Sequence, residues 1–178
     1  LQQIQDRLIT REYNEIITYS FVDSILQSRI DPAAKSIRLS NPISSNMDVM
    51  RTSLWYGLLM SVGINQRRHI RRIRLFETGH VFAKKGRRIE ESHRLGAVAC
   101  GLANQSTWES SERLCDFFDI KGDLEALLGL NAGHADYQFR PSKHPALHPG
   151  QSAEIRQGVA KIGYIGRLHP EIQTLMDI

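Results

Sequence analysis

Apolar positions open the chain at helical spacing: Ile4, Leu8 and Ile9 share one side of a helix running from Leu1 to about Arg11. Alternation then takes over in Glu15-Ile16-Ile17-Thr18-Tyr19-Ser20-Phe21, which predicts a strand. A short helical stretch follows and Asp31-Pro32 breaks it; Ser36 to Leu39 reads as a strand and Asn41-Pro42 as a turn. Leu54, Leu58, Leu59 and Val62 recur at helical spacing, with Thr52 or Ser53 available as N-cap. This helix leads into an apolar strand from Ile73 to Phe82, a turn at Lys84-Lys85-Gly86-Arg87, and a returning strand from Arg94 to Gly101. Residues Asn104 to Arg113 are polar and read as a loop. Phe117, Ile120, Leu124, Leu127 and Leu128 mark a further helix, with Gly129 placed to stop it. Tyr137 to Arg140 is strand-like, Ser152 to Arg156 and Lys161 to Leu168 form a hairpin around Gln157-Gly158, and Pro170 suits the first turn of a last helix. Strands paired by hairpins, with helices grouped between them, give an α+β class: a mainly antiparallel sheet flanked by helices.

A chain of 178 residues with 41% apolar and 24% charged side chains is long enough for a core and most simply forms one domain. No apolar run approaches the roughly 20 residues of a membrane helix, so no membrane role is expected. The opening LQQIQDRLITREY is charged and amphipathic, unlike a signal peptide, and reads as a piece of something longer. The spacing of Cys100 and Cys115 suggests neither a zinc site nor a redox pair, as expected of reduced thiols in a cytoplasmic protein. A net charge of +4 favours an anionic partner without identifying it.

The chemistry-bearing patterns are few. Neither a phosphate-loop motif nor Gly-x-Gly-x-x-Gly after a strand is present, and no Gly-x-Ser-x-Gly elbow frames a nucleophile. His144 and His148 stand four apart, but the prolines between and beside them forbid a helix that would aim both at a metal. No metal site is expected; each imidazole is better placed to bond backbone and fix the loop entering the hairpin. Glu77 has the chemistry of a general base but no partner identifiable from spacing, and Asp116, Asp119 and Asp123 suit the start of a helix. Arg67, Arg68, Arg71, Arg72 and Arg74 form the densest cationic run, with Lys84, Lys85, Arg87 and Arg88 a strand's length away. Together these residues are candidates for contact with RNA phosphates, the alternatives being a solvated basic face or pairing with an acidic partner. Trp55 and Tyr56 stand beside an apolar stripe and are expected to pack there; Trp108, in the polar loop, is the aromatic more suited to exposure.

Five segments, EYNEIITYSFV, NPISSNMDVMRTSLWYGLL, RLFETGHVF, DFFDIKGDLEALL, and HPALHPGQSAEI with IGYIGRLHPEI, carry a resemblance that covers nearly the whole chain. In this order they resemble the catalytic-like core of the bacterial phenylalanyl-tRNA synthetase β subunit, a class II aminoacyl-tRNA synthetase fold. The resemblance implies one synthetase-like domain over 1–178, truncated at its C-terminal end. Class II enzymes carry Phe-Arg-x-Glu at the end of the central strand, where the arginine grips the ATP α-phosphate. The matching residues here are Phe82, Ala83, Lys84 and Lys85. A guanidinium presents a rigid fork to phosphate oxygens and a methyl group does not, so Ala83 marks a lost catalytic arginine. Gly163 and Gly166 before Arg167 differ in spacing and setting from the glycine-rich third motif of the class. The resemblance thus implies a catalytically inactive domain without a cofactor of its own, within a holoenzyme that uses ATP and magnesium and binds tRNA. It implies an α-subunit partner in a heterotetramer, with Ile4, Leu8 and Ile9 of the first helix as interface candidates; packing of that helix on its own domain is the other reading. A residual adenylate site using Lys84, Lys85 or Arg87, and a free-standing RNA-binding module, are the alternatives.

Overall fold

The computed structural model describes residues 1–86, 88–105, 112–130 and 136–178. Its centre is a hairpin of two long strands, β4 (Arg72–Lys85) and β5 (Arg88–Gly101), paired from Arg72↔Gly101 to Lys85↔Arg88. Strand β1 (Asn14–Glu15) adds to the other edge of β4 and runs parallel to it, so this sheet has the order β1-β4-β5. The α+β reading holds, with this one short parallel pairing as a departure from an antiparallel scheme. Two smaller antiparallel sheets accompany it: β2 (Phe21–Val22) with β3 (Val49–Met50), and β6 (Tyr137–Pro141), β7 (Leu147–Gln157) and β8 (Ala160–Leu168) in sequence order.

Successive side chains of β4 point to opposite faces, and each face has its own cover. Ile73, Leu75 and Val81 pack under Leu54, which caps α3 (Trp55–Arg67), and under Leu58 and Val62 within it. Phe76 faces the other way, into a cluster with Leu8 of α1 (Gln2–Thr10), Tyr13 and Leu127 of α4 (Phe117–Leu128). With helices on both faces, β4 is buried without interruption from Ile73 to Glu77, so its apolar run lacks the alternation of a half-exposed strand. Ile30 of α2 (Ser24–Ile30) and Ile172 and Met176 of α5 (Pro170–Met176) close a third cluster with Leu59 of α3. On its far side α4 packs Phe117, Ile120 and Leu124 against Ile155 and Ile165 of the second hairpin.

The helix ends follow local chemistry. Asp23 caps α2 by accepting from the amides of Ile25 and Leu26 at 2.8 and 2.9 Å. At α4 a capping box forms: Asp116 accepts from the Phe118 and Asp119 amides, and Asp119 accepts from the Asp116 amide. Arg113 grips the Asp119 carboxylate with both guanidinium nitrogens, which holds its pKa down to about 2. Pro170 occupies the first turn of α5, as its fixed φ allows.

Two expected strands are shorter than the pattern suggested. Of Glu15 to Phe21 only the start pairs with β4; the amide of Ile16 still donates to the Phe76 carbonyl, after which the chain leaves the sheet until Phe21 enters β2. Ser36 to Leu39 contributes a single bridge, Arg38↔Val49. The His148-Pro149-Gly150 segment, expected as a loop, lies within β7 at a register irregularity between Leu147 and Ser152.

Gly101 ends β5 at φ +84, and a Cβ there would meet the Arg71 carbonyl oxygen at 2.0 Å. That carbonyl accepts from the Leu102 amide, and the Gly101 carbonyl accepts from the Cys115 amide, so neither side can retreat cheaply. Gly101→Ala is expected to lower unfolding free energy by at least about 2 kcal/mol in a urea titration, because it adds left-handed strain to a backbone clash. A loss within about 0.5 kcal/mol, the range of neutral surface changes, would contradict this geometry.

Candidate functional site

The site suggested by the sequence lies along the β4–β5 hairpin, and its two halves differ. Ala83 is half-buried opposite Glu90. The amide of Phe82 donates to the Arg51 carbonyl at 2.8 Å, and that of Lys84 to the Lys35 carbonyl at 2.9 Å, which laces β4 to the preceding chain on both sides of Ala83. Lys84 and Lys85 are exposed at the very end of the strand, Lys85 lying 3.5 Å from Glu90. An ammonium is a point charge and does not present the planar fork of a guanidinium. Arg87 lies outside the described residues.

Further down the strand, on the face shared with α3, a guanidinium and a carboxylate are buried together. Glu77 is 2% exposed and Arg51 5%. Arg51 Nη1 donates to Glu77 Oε1 at 2.6 Å, while Thr18 supplies its amide to Oε1 at 3.2 Å and its hydroxyl to Oε2 at 2.7 Å. Arg51 Nε donates to the His80 carbonyl at 2.8 Å, and Nη1 also approaches the Thr18 carbonyl and hydroxyl oxygens at 3.4 and 3.2 Å. Both Glu77 oxygens are engaged, so the carboxylate serves as an anchor and has no exposed face to act as a general base. Three glycines make the room: a Cβ on Gly79 would stand 2.4 Å from Arg51 Nη2, one on Gly57 2.2 Å from Thr18 Oγ1, and one on Gly96 2.9 Å from Leu58 Cδ1. The α3 face of the hairpin is therefore filled by the chain's own side chains. A triphosphate does not suit this donor set: the one guanidinium on this face is buried and already committed through Nε and Nη1 to a carboxylate, a hydroxyl and carbonyls, and Ala83 adds only a methyl group.

On the opposite face Asp123 of α4 gathers three donors: Arg11 at 2.6 Å, the Tyr13 hydroxyl at 2.8 Å and Arg74 at 2.7 Å. Arg74 also reaches the Ala103 carbonyl at 3.3 Å. Burial, reinforced by the hydrogen bond to Asp123, pushes the Tyr13 phenol well above its ordinary pKa. Asp123 thus ties α1, β4 and α4 together, where the sequence suggested only a carboxylate near a helix start. Spacing alone gave no signal for this node, because its members are up to 112 positions apart.

The cationic run divides accordingly. Arg74 is buried on Asp123, Arg72 pairs with Glu12 at 2.6 Å, and Arg71 holds Glu112 with two hydrogen bonds of 2.9 and 2.6 Å. Arg67 and Arg68 are exposed at the end of α3. Roughly 40 Å of extended strand separates Arg72 from Lys84, so the expected single basic patch is two separate surfaces.

The first helix sorts its interface candidates by exposure. Leu8 is 1% exposed and sealed against Tyr13, Phe76 and Leu127, which removes it from any partner-facing surface; packing on the chain's own core wins at this position. Ile4 is half-buried at the edge of the same cluster, and Ile9 is 55% exposed. Leu1, Ile17 and Tyr19 are exposed as well, at 66%, 94% and 74%. Gln5, between Leu1 and Ile9 on the helix, donates to Glu15 at 2.8 Å and joins α1 to the start of the outward row Glu15, Ile17, Tyr19. Ile17 and Tyr19 stood in the sequence as an alternating pattern, but the alternation was credited to a strand.

Three histidines, His144, His148 and His169, behave as backbone braces. Nδ1 of His144 accepts from the Ala146 amide at 3.2 Å, that of His148 from Gly150 at 3.1 Å, and that of His169 from Glu171 at 3.2 Å. His144 is wedged edge-on between Trp55 and Tyr164, and its burial lowers its pKa. Trp55 also packs against two core clusters, as its place beside the apolar stripe suggested. Among the described residues no group of three or more His, Cys, Asp or Glu side chains could hold a metal ion. Trp108 lies outside the described residues.

Breaking the buried pair on one side strands a charge. Arg51→Met is expected to cost about 3–5 kcal/mol by chemical denaturation, and Arg51→Met with Glu77→Met less than the sum of the two single losses. Additive losses would mean that the two side chains do not act as a pair.

Residues 1–178 match the family described as the phenylalanyl tRNA synthetase beta chain CLM domain. Phenylalanine–tRNA ligase beta subunits resemble it over almost all of its length: that of Hahella chejuensis is 43% identical over 178 residues, covering 100% of this chain and 22% of the relative. The subunit of Methylococcus capsulatus is 46% identical over 173 residues, covering 97% and 22%, and that of Coxiella burnetii 45% over 168 residues, covering 94% and 21%. The chain spans about a fifth of the length of the curated relatives it matches. A solved pyrrolysyl tRNA synthetase from Desulfitobacterium hafniense superposes with a TM-score of 0.72 at 12% identity, covering 99% of this chain and 60% of that one, a likeness of fold alone. The α+β architecture is thus that of a class II synthetase core, and the chain belongs to the family of phenylalanyl-tRNA synthetase beta chain CLM domains.

Proposed function

We propose that this domain is the non-catalytic, synthetase-like part of the β subunit of a phenylalanine–tRNA ligase, and that its task is to assemble with the α subunit in a cytoplasmic heterotetramer. In that holoenzyme ATP and magnesium drive phenylalanylation of tRNA, and the α subunit performs the chemistry. The observation that carries this reading is the exposed apolar row Leu1, Ile9, Ile17 and Tyr19 on α1 and the segment after β1. Water exclusion on docking is worth about 1.5–3 kcal/mol for each large apolar side chain fully buried, so such side chains supply driving force for association, against which its entropy cost is set. Ile4 packs at the edge of the core, and the Asp123 node holds the end of α1 to β4 and α4, so the helix that carries Leu1 and Ile9 is fixed to the domain. A residual adenylate site has no comparable support, because Ala83 offers no charge and Arg51 is already occupied within the fold.

The test uses the full-length β subunit co-expressed with its α subunit. Ile9→Asp combined with Ile17→Asp is expected to weaken α/β association by at least about tenfold in sedimentation analysis, since each places a charge where apolar surface must be buried. The thermal stability of the variant β chain should change little, because both side chains are exposed in the fold. Unchanged association with the variant would contradict the proposal.

A further inference from the structure

The tip of the central hairpin is cationic for reasons that its own fold does not use. Val81 is the last buried side chain of β4; Lys84, Lys85, Gly86 and residues 88–91 are all exposed. The backbone bond from Lys84 to Lys35 brings the exposed Lys35 alongside, and the last rung of the ladder sets Lys85 directly opposite Arg88. Like charges facing each other across a rung destabilise the hairpin that carries them. The nearby carboxylates do not cancel this: Glu91 is taken by the His80 imidazole, and Glu90 offers one contact, to Lys85. Lys35, Lys84 and Arg88 form no ion pair among the described residues, whereas Arg71, Arg72 and Arg74 at the other end of β4 are each held by a carboxylate.

We propose that Lys35, Lys84, Lys85 and Arg88 form a phosphate-contacting surface for structured RNA at the end of the β4–β5 arm, and that the arginines of the Arg71–Arg74 segment do not take part. The chemistry of the tip favours a nucleic-acid backbone over a protein. It offers several long flexible cations and, among the described residues of β4, Gly86 and β5 at this end, one exposed large apolar side chain, Ile89, too little for the dry centre that a stable protein interface has. Phosphate oxygens need only such point charges, which add salt-dependent affinity and position the partner without reading its sequence. The choice of tRNA as the RNA rests on the proposed membership of a tRNA ligase; the cationic surface itself does not.

The experiment measures tRNA binding by the assembled α/β enzyme across a salt series. It compares the wild type with Lys84→Gln, Lys85→Gln and Arg88→Gln together, and with a charge-matched control, Arg29→Gln, Arg140→Gln and Lys143→Gln. The tip variant should bind tRNA at least about tenfold more weakly near 50 mM salt, and its slope of log affinity against log salt should flatten by roughly 2–3, the loss of three phosphate contacts. The control should retain most of the affinity, and α/β assembly should be unchanged in both. Equal losses in tip variant and control would reduce the effect to net charge and overturn the proposal, as would an unchanged slope. Weakened assembly with normal tRNA binding by the intact enzyme would make the tip a protein contact and overturn it too. If instead the tip variant behaves as expected while Ile9→Asp with Ile17→Asp assembles normally, the assembly role fails and the RNA surface stands.

Discussion

The buried Arg51–Glu77 pair is the constraint around which the rest of the chain is arranged. It joins the segment after β1, the entry to α3 and the middle of β4, and it sits under a helix that would otherwise rest on a plain apolar sheet. Two charges withdrawn from water need hydrogen bonds beyond their mutual one, and Thr18 and the His80 carbonyl supply them to Glu77 and to Nε and Nη1 of Arg51. The glycines at 57 and 79 follow from it, since any side chain there would displace Thr18 or Arg51. So does the loss of open space on that face of the sheet. An antiparallel sheet that could cradle a ligand has been closed by its own residues.

A second charged node on the other face does a different job. Asp123 binds donors from α1, from the turn after it and from β4, so the first helix cannot swing independently of the sheet. The exposed row on α1 and beyond is then carried by a fixed support, as a docking surface must be if ordering it on binding is not to consume the affinity. The hairpin tip lies at the far end of the same strand from Arg74. One long β-ladder therefore connects the surface proposed for the subunit partner to the one proposed for RNA.

Much of this was legible in the residues. The 3.6-residue recurrence of Leu54, Leu58 and Val62, the turn at Gly86, the Asp116 start of α4 and Pro170 at α5 are local signals, and local physics honours them. What escaped depends on contacts distant in sequence. Periodicity grouped Leu8 with Ile9, but which of the two faces the core is decided by where α4 lies. Alternation from Glu15 to Phe21 promised a full strand; only its start finds β4 alongside, and Ile17 and Tyr19 are left outward. A run of arginines looks uniformly basic until Glu12, Glu112 and Asp123 arrive from elsewhere in the chain to neutralise three of them.

The claim that the nucleotide position is vacant of phosphate-binding charge and its sheet face self-filled is tested most directly by calorimetry. ATP with magnesium is titrated into the isolated chain at high protein concentration. The account predicts no heat beyond dilution. Saturable binding, lost on substitution of Arg51 or of the tip lysines, would contradict it.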